Sequence, residues 1–268
     1  MGNSTTAEFS MLLWLLGALV MALALHLSNG WVRRKQKSER LLQHWPPLLL
    51  AAASLGIGLC SALVLCMQAE ALPFPVGYRF VAAAGLLAAA VVGCMPIVLM
   101  QARSQAGWVL FLSGALLALV ATGLEIGWVW AAGFRPDVVW RREFVGGAVV
   151  LQLMGLAPVP WLAFAEAFQA SERRLMWRLG ALCLAALTVM GGQTVMLLAA
   201  GVVNLRGSVY QSEMPGTVLS LVFGVLVPLV LAALSLDLWM RIRQDRHRGR
   251  SEFNPKKRRK RRHRIRAL

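Results

Sequence analysis

The chain alternates between long apolar segments and short polar ones. Seven apolar segments have the roughly 20 residues that a helix needs to cross a bilayer. They cover residues 10–28, 48–68, 79–101, 107–130, 144–165, 178–202 and 217–239. Because the polar segments between them are short, neighbouring helices should run antiparallel. The pattern predicts an all-α membrane protein with seven transmembrane helices within residues 1–240.

After the first helix, the remaining six form three similar units. Each unit is an apolar span, a polar turn and a returning span, with turns at residues 68–78, 132–143 and 204–216. The sequence therefore predicts one leading helix followed by three helix-hairpin repeats. Since each unit contains two crossings, the three turns should lie on the same side of the membrane.

Composition agrees with membrane embedding and gives no sign of catalysis. Hydrophobic residues make up 58% of the chain and charged residues only 15%, which is unusual for a soluble globular protein. The four cysteines, Cys60, Cys66, Cys94 and Cys183, lie inside apolar runs, where packing is their expected role. No Ser/His/Asp or Cys/His set, paired carboxylates or phosphate-binding glycine loop stands in a suitable context. We therefore expect a non-enzymatic protein.

Basic residues predict the orientation, because short loops rich in Lys and Arg stay in the cytoplasm. Of the 28 Lys and Arg residues, 14 lie between Arg241 and Arg266. The loop between the first two spans is also basic, whereas the three turns carry few basic residues. The distribution predicts a multi-pass protein of the bacterial inner membrane, with the N-terminus periplasmic and the C-terminus cytoplasmic. The three turns would then face the periplasm.

Residues 241–268 have no apolar periodicity and are predicted to be a disordered, polybasic cytoplasmic tail. Beside a last span, such a tail is expected to contact anionic lipid headgroups. The contact residues would be Lys256, Lys257, Arg258, Arg259, Lys260, Arg261 and Arg262. Nucleic-acid binding is not favoured, because the run has neither interleaved aromatic residues nor an adjacent fold.

Polar side chains deep in the spans are costly in hydrocarbon and therefore informative. The deepest are Glu125, Gln152 and Gln193. Glu125 and Gln193 stand toward the predicted outer ends of the first span in two different repeats, so they could meet around an outward cavity. In the alternative interpretation, Glu125 extends to the outer interface and pairs with one of the outer arginines, Arg135, Arg141 or Arg142, or it is simply protonated.

The repeat resembles the MHYT family of bacterial membrane sensor modules. That family has seven spans and three Met-His-Tyr-Thr-like motifs near the outer ends of alternate helices, each followed by a Pro-containing turn. The resemblance covers residues 10–240 and is strongest at 55–80, where LPFPVGY (72–78) is similar to the family's first outer turn. It implies a sensor of oxygen, carbon monoxide or nitric oxide that binds copper through Met and His side chains.

The histidines of the motif are replaced in this chain. Leu63 of SALVLCM (61–67), Glu125 of GLEIGWV (123–129) and Gln193 of GGQTVML (191–197) occupy their three positions. Imidazole and thioether are the donors that suit copper. With the imidazoles gone, we predict no cofactor, although copper stays an alternative. The candidate outer-face sensing site comprises Cys66, Met67, Glu125, Gln193 and Met196.

Three functional hypotheses follow from these observations. The first is a degenerate MHYT-like sensor or signalling module that acts through an unknown protein partner or a second copy of the chain. In the second, the protein is a copper or gas sensor of the MHYT type with an altered outer-face site. The third is a small transporter that uses Glu125 as its proton or cation site, as internal repeats and proline-broken helices would allow.

Overall fold

The computed structural model describes residues 9–36, 45–70, 74–135, 138–164, 174–201, 207–210 and 212–252. The helices are α1 (Met11–Gln36), α2 (Pro46–Ala69), α3 (Phe80–Arg103), α4 (Gly107–Ala131), α5 (Arg142–Leu156), α6 (Pro158–Phe164), α7 (Arg174–Ala199), α8 (Gly216–Leu221) and α9 (Val227–Glu252). Two strands of two residues each, β1 (Phe134–Arg135) and β2 (Gly207–Ser208), lie in the turns.

Seven helical segments in this part of the chain are long and apolar enough to cross a membrane. Five of these segments lie within single helices: α1, α2, α3, α4 and α7. The sixth consists of α5 and α6, and the seventh runs from α8 into α9. The predicted all-α, seven-span fold is therefore confirmed. The chain is a multi-pass membrane protein by the length and composition of its helices.

Helix α2 is the central helix of the bundle. In the apolar segment of α2 that is long enough to cross a membrane, 78% of the residues are buried within the protein, against 28% in the corresponding segment of α3. It packs against α1, α3 and α7, and Gly56 lets α3 approach closely, because a Cβ there would lie 2.8 Å from the backbone carbonyl carbon of Ala90. Large apolar side chains such as Leu12, Val92 and Trp108 are more than two-thirds exposed, as expected of surfaces that face lipid.

Prolines interrupt two of the returning spans. Pro158 has no N–H to continue the ladder, and the helix breaks at Ala157, between α5 and α6. Ahead of Pro228, residues Val222–Leu226 form a π-helical turn between α8 and α9. Pro96 lies inside α3, which continues through it. The second and third repeats therefore have irregular returning spans.

The three turns of the repeats are hydrogen-bonded to one another and form a single cap. β1 and β2 pair antiparallel, with Phe134 opposite Ser208, and this joins the second turn to the third. The first turn joins the third where Tyr78 N–H donates to the Met214 carbonyl at 2.9 Å and Gly216 N–H donates to the Val76 carbonyl at 2.8 Å. The prediction that all three turns lie on one side is confirmed.

Ser208 is the centre of the cap. Its hydroxyl accepts a hydrogen bond from Gly77 N–H at 3.1 Å, and its proton can go to the carbonyl of Ala132 at 2.6 Å or of Gly77 at 3.0 Å. Gly133, beside Ala132, has a φ of +53°, a conformation that glycine adopts most readily. One side chain of the third turn thus contacts backbone groups of the first two.

The chain divides into two compact units, Met1–Leu231 and Ala232–Leu268. In the second unit the helix runs to Glu252, so the prediction of disorder is wrong for residues 241–252. Arg241 pairs with Asp237 one turn earlier at 2.7 Å, and the Arg243 guanidinium stacks 5.2 Å from the centre of the Trp239 ring. Arginine is also a good helix former, so the span's helix continues into the basic segment. The predicted lipid-contact residues 256–262 lie outside the described residues.

Candidate functional site

Glu125 and Gln193 occupy equivalent places in two repeats. Each stands six residues before the capped end of its helix, Ala131 for α4 and Ala199 for α7. At 1.5 Å per residue, both lie about 9 Å along the helix axis from the cap. Both side chains are 0% exposed, as is Gln152 on α5. The three side chains therefore belong to the bundle interior, beneath the cap.

Glu125 is held by a neighbouring helix. Gln152 Nε2 donates a hydrogen bond to Glu125 Oε1, which joins α5 to α4. Glu125 does not extend to the interface, so that part of the alternative interpretation is wrong, whereas protonation of its carboxyl stays a prediction. The physical reason is packing: the residue faces the bundle interior and finds an amide there, which satisfies one of its oxygens.

The orientation of Gln193 follows from its two neighbours on α7. Gly192 faces α5, because a Cβ at that position would lie 3.0 Å from Cδ and Cγ of Gln152. Thr194 faces α2, where its hydroxyl lies 3.6 Å from the thiol of Cys66. Since successive residues of a helix are about 100° apart, Gln193 points between α5 and α2.

Glu125 is linked to α7 through Gln152. The Gln152 amide bonds Glu125 and packs against Gly192, the residue before Gln193. Gln193 therefore adjoins the point where α7 contacts the Glu125–Gln152 pair. We call these three residues, Glu125, Gln152 and Gln193, the polar centre.

Four polar atoms of the polar centre have no hydrogen-bond partner among the described residues. They are Glu125 Oε2, Gln152 Oε1, and both Nε2 and Oε1 of Gln193. Buried polar groups are almost always paired, so an unpaired set usually indicates a bound water, an ion or a functional role. The arrangement offers three oxygen acceptors and one amide donor to a small guest.

Cys66 contacts α7 beside the polar centre and does not join it by a hydrogen bond. Its sulfur lies 3.6 Å from both the Met190 carbonyl oxygen and Thr194 Oγ1. Glu70, at the capped end of α2, is half-buried, and burial raises the pKa of its carboxyl. Thr194 donates its hydroxyl proton to the Met190 carbonyl of its own helix at 3.1 Å and contacts Cys66 at the margin of the polar centre.

Met67 belongs to a different polar group under the cap. The hydroxyl of Tyr78 donates to Met67 Sδ at 3.3 Å and accepts from Gln68 Nε2 at 3.3 Å. The Tyr78 ring meets Trp128 edge to face, with ring centres 5.6 Å apart. Burial raises the pKa of Tyr78, so its hydroxyl is kept as a proton donor to the thioether.

Met196 is separate from both groups. It is fully buried in an apolar cluster with Ala148 of α5 and Ala199, and Trp140 packs against that cluster. The five predicted site residues therefore fall into three environments. Glu125 and Gln193 are both fully buried at matching depths, on helices that Gln152 links, and Cys66 contacts α7 nearby, whereas Met67 and Met196 lie in surroundings of their own.

The donor set does not fit copper. The imidazole positions hold Leu63, Glu125 and Gln193, the Met67 thioether accepts a hydrogen bond, and Met196 packs among apolar side chains. No three His, Cys, Asp or Glu side chains are grouped as metal ligands in the ranges that the structure describes. The residues at the polar centre offer oxygen and amide groups, which suit hard cations, protons and water.

Gln152, Tyr78, Thr194 and Ser208 were absent from the predicted site. Gln152 could have been identified from the sequence, since an amide deep in an apolar span needs a hydrogen-bonding partner. The other three stand in turns or near helix ends with ordinary polar neighbours, and these contacts join residues ten or more positions apart in sequence. Periodicity along the chain cannot reveal such contacts.

Comparison with known proteins identifies no relative for this chain. No protein-family model matches the sequence, and no curated protein and no solved structure is similar to it.

Proposed function

We propose that the protein is a non-enzymatic signalling module of the bacterial inner membrane, a degenerate MHYT-like sensor that acts through a partner. The observation that carries the proposal is that one hydrogen-bonded cap covers the equivalent positions of the repeats, with Glu125 and Gln193 buried together beneath it. The partner is a second protein or another copy of the chain. The basic tail, residues 256–262, would hold the cytoplasmic side to anionic lipid.

The polar centre is placed to couple an outer signal to helix packing. It joins α4, α5 and α7, and α5 ends at the break at Ala157. A change in what Glu125 binds alters the contacts among these three helices. Gly114 of α4 packs directly on that break, because a Cβ there would lie 2.7 Å from Ala157 Cα. A change at the polar centre can thus reach the other half of the span through α4 and α5.

The proposal is tested by transcript profiling in the native host. Deletion of the gene should change a defined set of transcripts, and the wild-type chain should restore them. Glu125→Gln should fail to restore them although the protein reaches the membrane. Met67→Ala should restore them fully, because Met67 lies outside the polar centre.

Two controls accompany this test. Immunoblots of membrane fractions confirm equal amounts of each variant, and photo-crosslinking from the cytoplasmic helix ends should capture a specific partner. Full restoration by Glu125→Gln would contradict a sensing role for the polar centre. Copper at a ratio near one per chain, lost in Met67→Ala, would contradict the degenerate interpretation and favour a copper sensor.

A transporter is the second candidate, favoured by the buried carboxyl that is bonded to the broken span formed by α5 and α6. Proteoliposomes containing the purified chain distinguish the two functions. A signalling module should show no more H⁺ or Na⁺ flux along an imposed gradient than empty liposomes. Flux that disappears in Glu125→Gln would favour transport.

A further inference from the structure

We propose that the polar centre is a binding site for a dehydrated monovalent cation of about the size of Na⁺. The cation would be coordinated by Glu125 Oε2, Gln152 Oε1 and Gln193 Oε1. The inference rests on the proposed function only for its biological role, since it would make cation occupancy the signal that is sensed. Binding itself can be measured without reference to signalling.

The chemistry of the open atoms indicates the ligand class. Gln152 uses its Nε2 to donate to Glu125, which leaves its carbonyl oxygen as the free atom. Glu125 and Gln193 each add another unpaired oxygen. One carboxylate and two amide carbonyls form a set of hard oxygen ligands, which suit alkali and alkaline-earth cations better than thioether-seeking copper.

Charge selects a monovalent ion. Glu125 is fully buried and Gln152 is its hydrogen-bonding partner, with no basic side chain bonded to it among the described residues. A lone carboxyl in so dry a place is either protonated or neutralised by a positive charge beside it. A monovalent cation gives a site with no net charge, whereas a divalent cation would leave an uncompensated positive charge in the membrane interior.

The positions of the ligands also favour a defined site over chance burial. The three side chains come from three helices, and Gly192 provides the space that Gln152 occupies against α7. Any larger residue at position 192 would displace Gln152. The bundle therefore holds the Gln152 amide between the Glu125 carboxyl and the backbone of α7 next to Gln193.

The experiment measures thermal unfolding of the purified full-length chain in detergent. Ionic strength is kept constant at pH 8 while choline chloride is replaced by NaCl. A ligand that binds only the folded state stabilises it in proportion to the logarithm of its concentration. We expect Na⁺ at saturation to raise the Tm by about 3 °C or more relative to choline. Equimolar CaCl₂ should give a smaller rise.

Variants locate the effect. Glu125→Gln should lose the response to Na⁺, and Gln193→Leu should shift the titration midpoint to at least about tenfold higher Na⁺, the effect of one lost ligand worth 1.4 kcal/mol. The matched control is Gln101→Leu, which removes another buried glutamine, one that is bonded to Ser113 at 3.4 Å. This control should keep the full response to Na⁺.

Several outcomes would overturn the inference. One is a wild-type Tm that is the same in Na⁺ and choline, which would mean that Glu125 is protonated and that the open atoms hold no cation. Others are an unchanged Na⁺ response in both Glu125→Gln and Gln193→Leu, and a preference for Ca²⁺. These results are independent of the transcript test. If the transcript test succeeds but Na⁺ has no effect on the Tm, the cation site is rejected and the signalling function stands. If Na⁺ raises the Tm but the transcript test fails, the cation site stands and the signalling function is rejected.

Discussion

The cap and the polar centre treat their polar groups in opposite ways. In the cap, the Ser208 hydroxyl reaches three backbone groups from two other turns. About two helical turns below, the polar centre leaves four side-chain atoms unpaired around a single Gln152–Glu125 hydrogen bond. Loop residues can adjust to satisfy one another, whereas helix positions are fixed by packing.

This difference indicates that the polar centre is the place to look for function. The bundle pairs polar side chains at Ser208, Tyr78 and Gln101, whereas four unpaired atoms belong to the three side chains of the polar centre. Unpaired buried groups lower stability and are retained at functional sites. The predictions below remove polar groups from the paired regions, where each loss should lower stability. Removal of Gln193 from the polar centre should cost little in the absence of Na⁺.

The largest effect is expected at the cap. Ser208→Ala removes the hydroxyl that Gly77 and Ala132 bond, and should lower the free energy of unfolding by about 2–3 kcal/mol, since several backbone groups lose a partner. Reversible unfolding in mixed micelles with increasing SDS measures this value. Ser220→Ala is the control, because among the described residues Ser220 bonds only the Gly216 carbonyl of its own helix, at 2.9 Å. Its loss should cost under about 0.5 kcal/mol. Equal costs would mean that Ser208 does not hold the cap together.

Gln101→Leu should have the next largest effect. It removes the hydrogen bond to Ser113, and within a membrane such bonds contribute about 0.6 to 1.7 kcal/mol. Gln193→Leu, measured by the same SDS titration in choline, should change the free energy of unfolding by less than about 0.5 kcal/mol, because no bond is lost. A larger loss of stability for Gln193→Leu than for Gln101→Leu would contradict the interpretation that Gln193 is the unpaired and Gln101 the paired glutamine.

Tyr78→Phe should cost about 1 kcal/mol. The variant keeps the edge-to-face contact with Trp128 and loses the hydroxyl that bonds Met67 and Gln68. Thermal unfolding in detergent measures the loss. Tyr210→Phe is the matched control, since the Tyr210 ring packs over Gly133, and it should unfold at the wild-type temperature. A wild-type Tm for Tyr78→Phe would show that the hydroxyl bonds are not stabilising.

Glu70 should give the smallest effect, seen as a pH dependence. Burial raises its pKa above the ordinary 4.5, so the folded state binds its proton more tightly than the unfolded state. The associated stability is fully present below pH 4.5 and is lost as pH rises through the raised pKa. Glu70→Gln should flatten the fall in Tm over that interval. An unchanged pH profile in the variant would assign the slope to other groups.

The candidate site was only partly predictable. Glu125 and Gln193 were identified because ionisable and amide groups are conspicuous in apolar spans, and their matching positions in two repeats suggested that they meet. Met67 was grouped with them because motif spacing places it near the same end of α2. Spacing along one helix does not specify which neighbouring helix a side chain faces, and Met67 is bonded to Tyr78.

By itself, the sequence determined the seven helices, their antiparallel order and the common side of the three turns. These follow from local physics, since a bilayer demands apolar stretches of a fixed length and short turns allow only hairpins. The tertiary structure decided which polar groups meet: Gln152 with Glu125, Ser208 with two other turns, and Tyr78 with Met67. Those pairings depend on helix rotation and close backbone approach, as at Gly192, which arise only when the whole bundle packs.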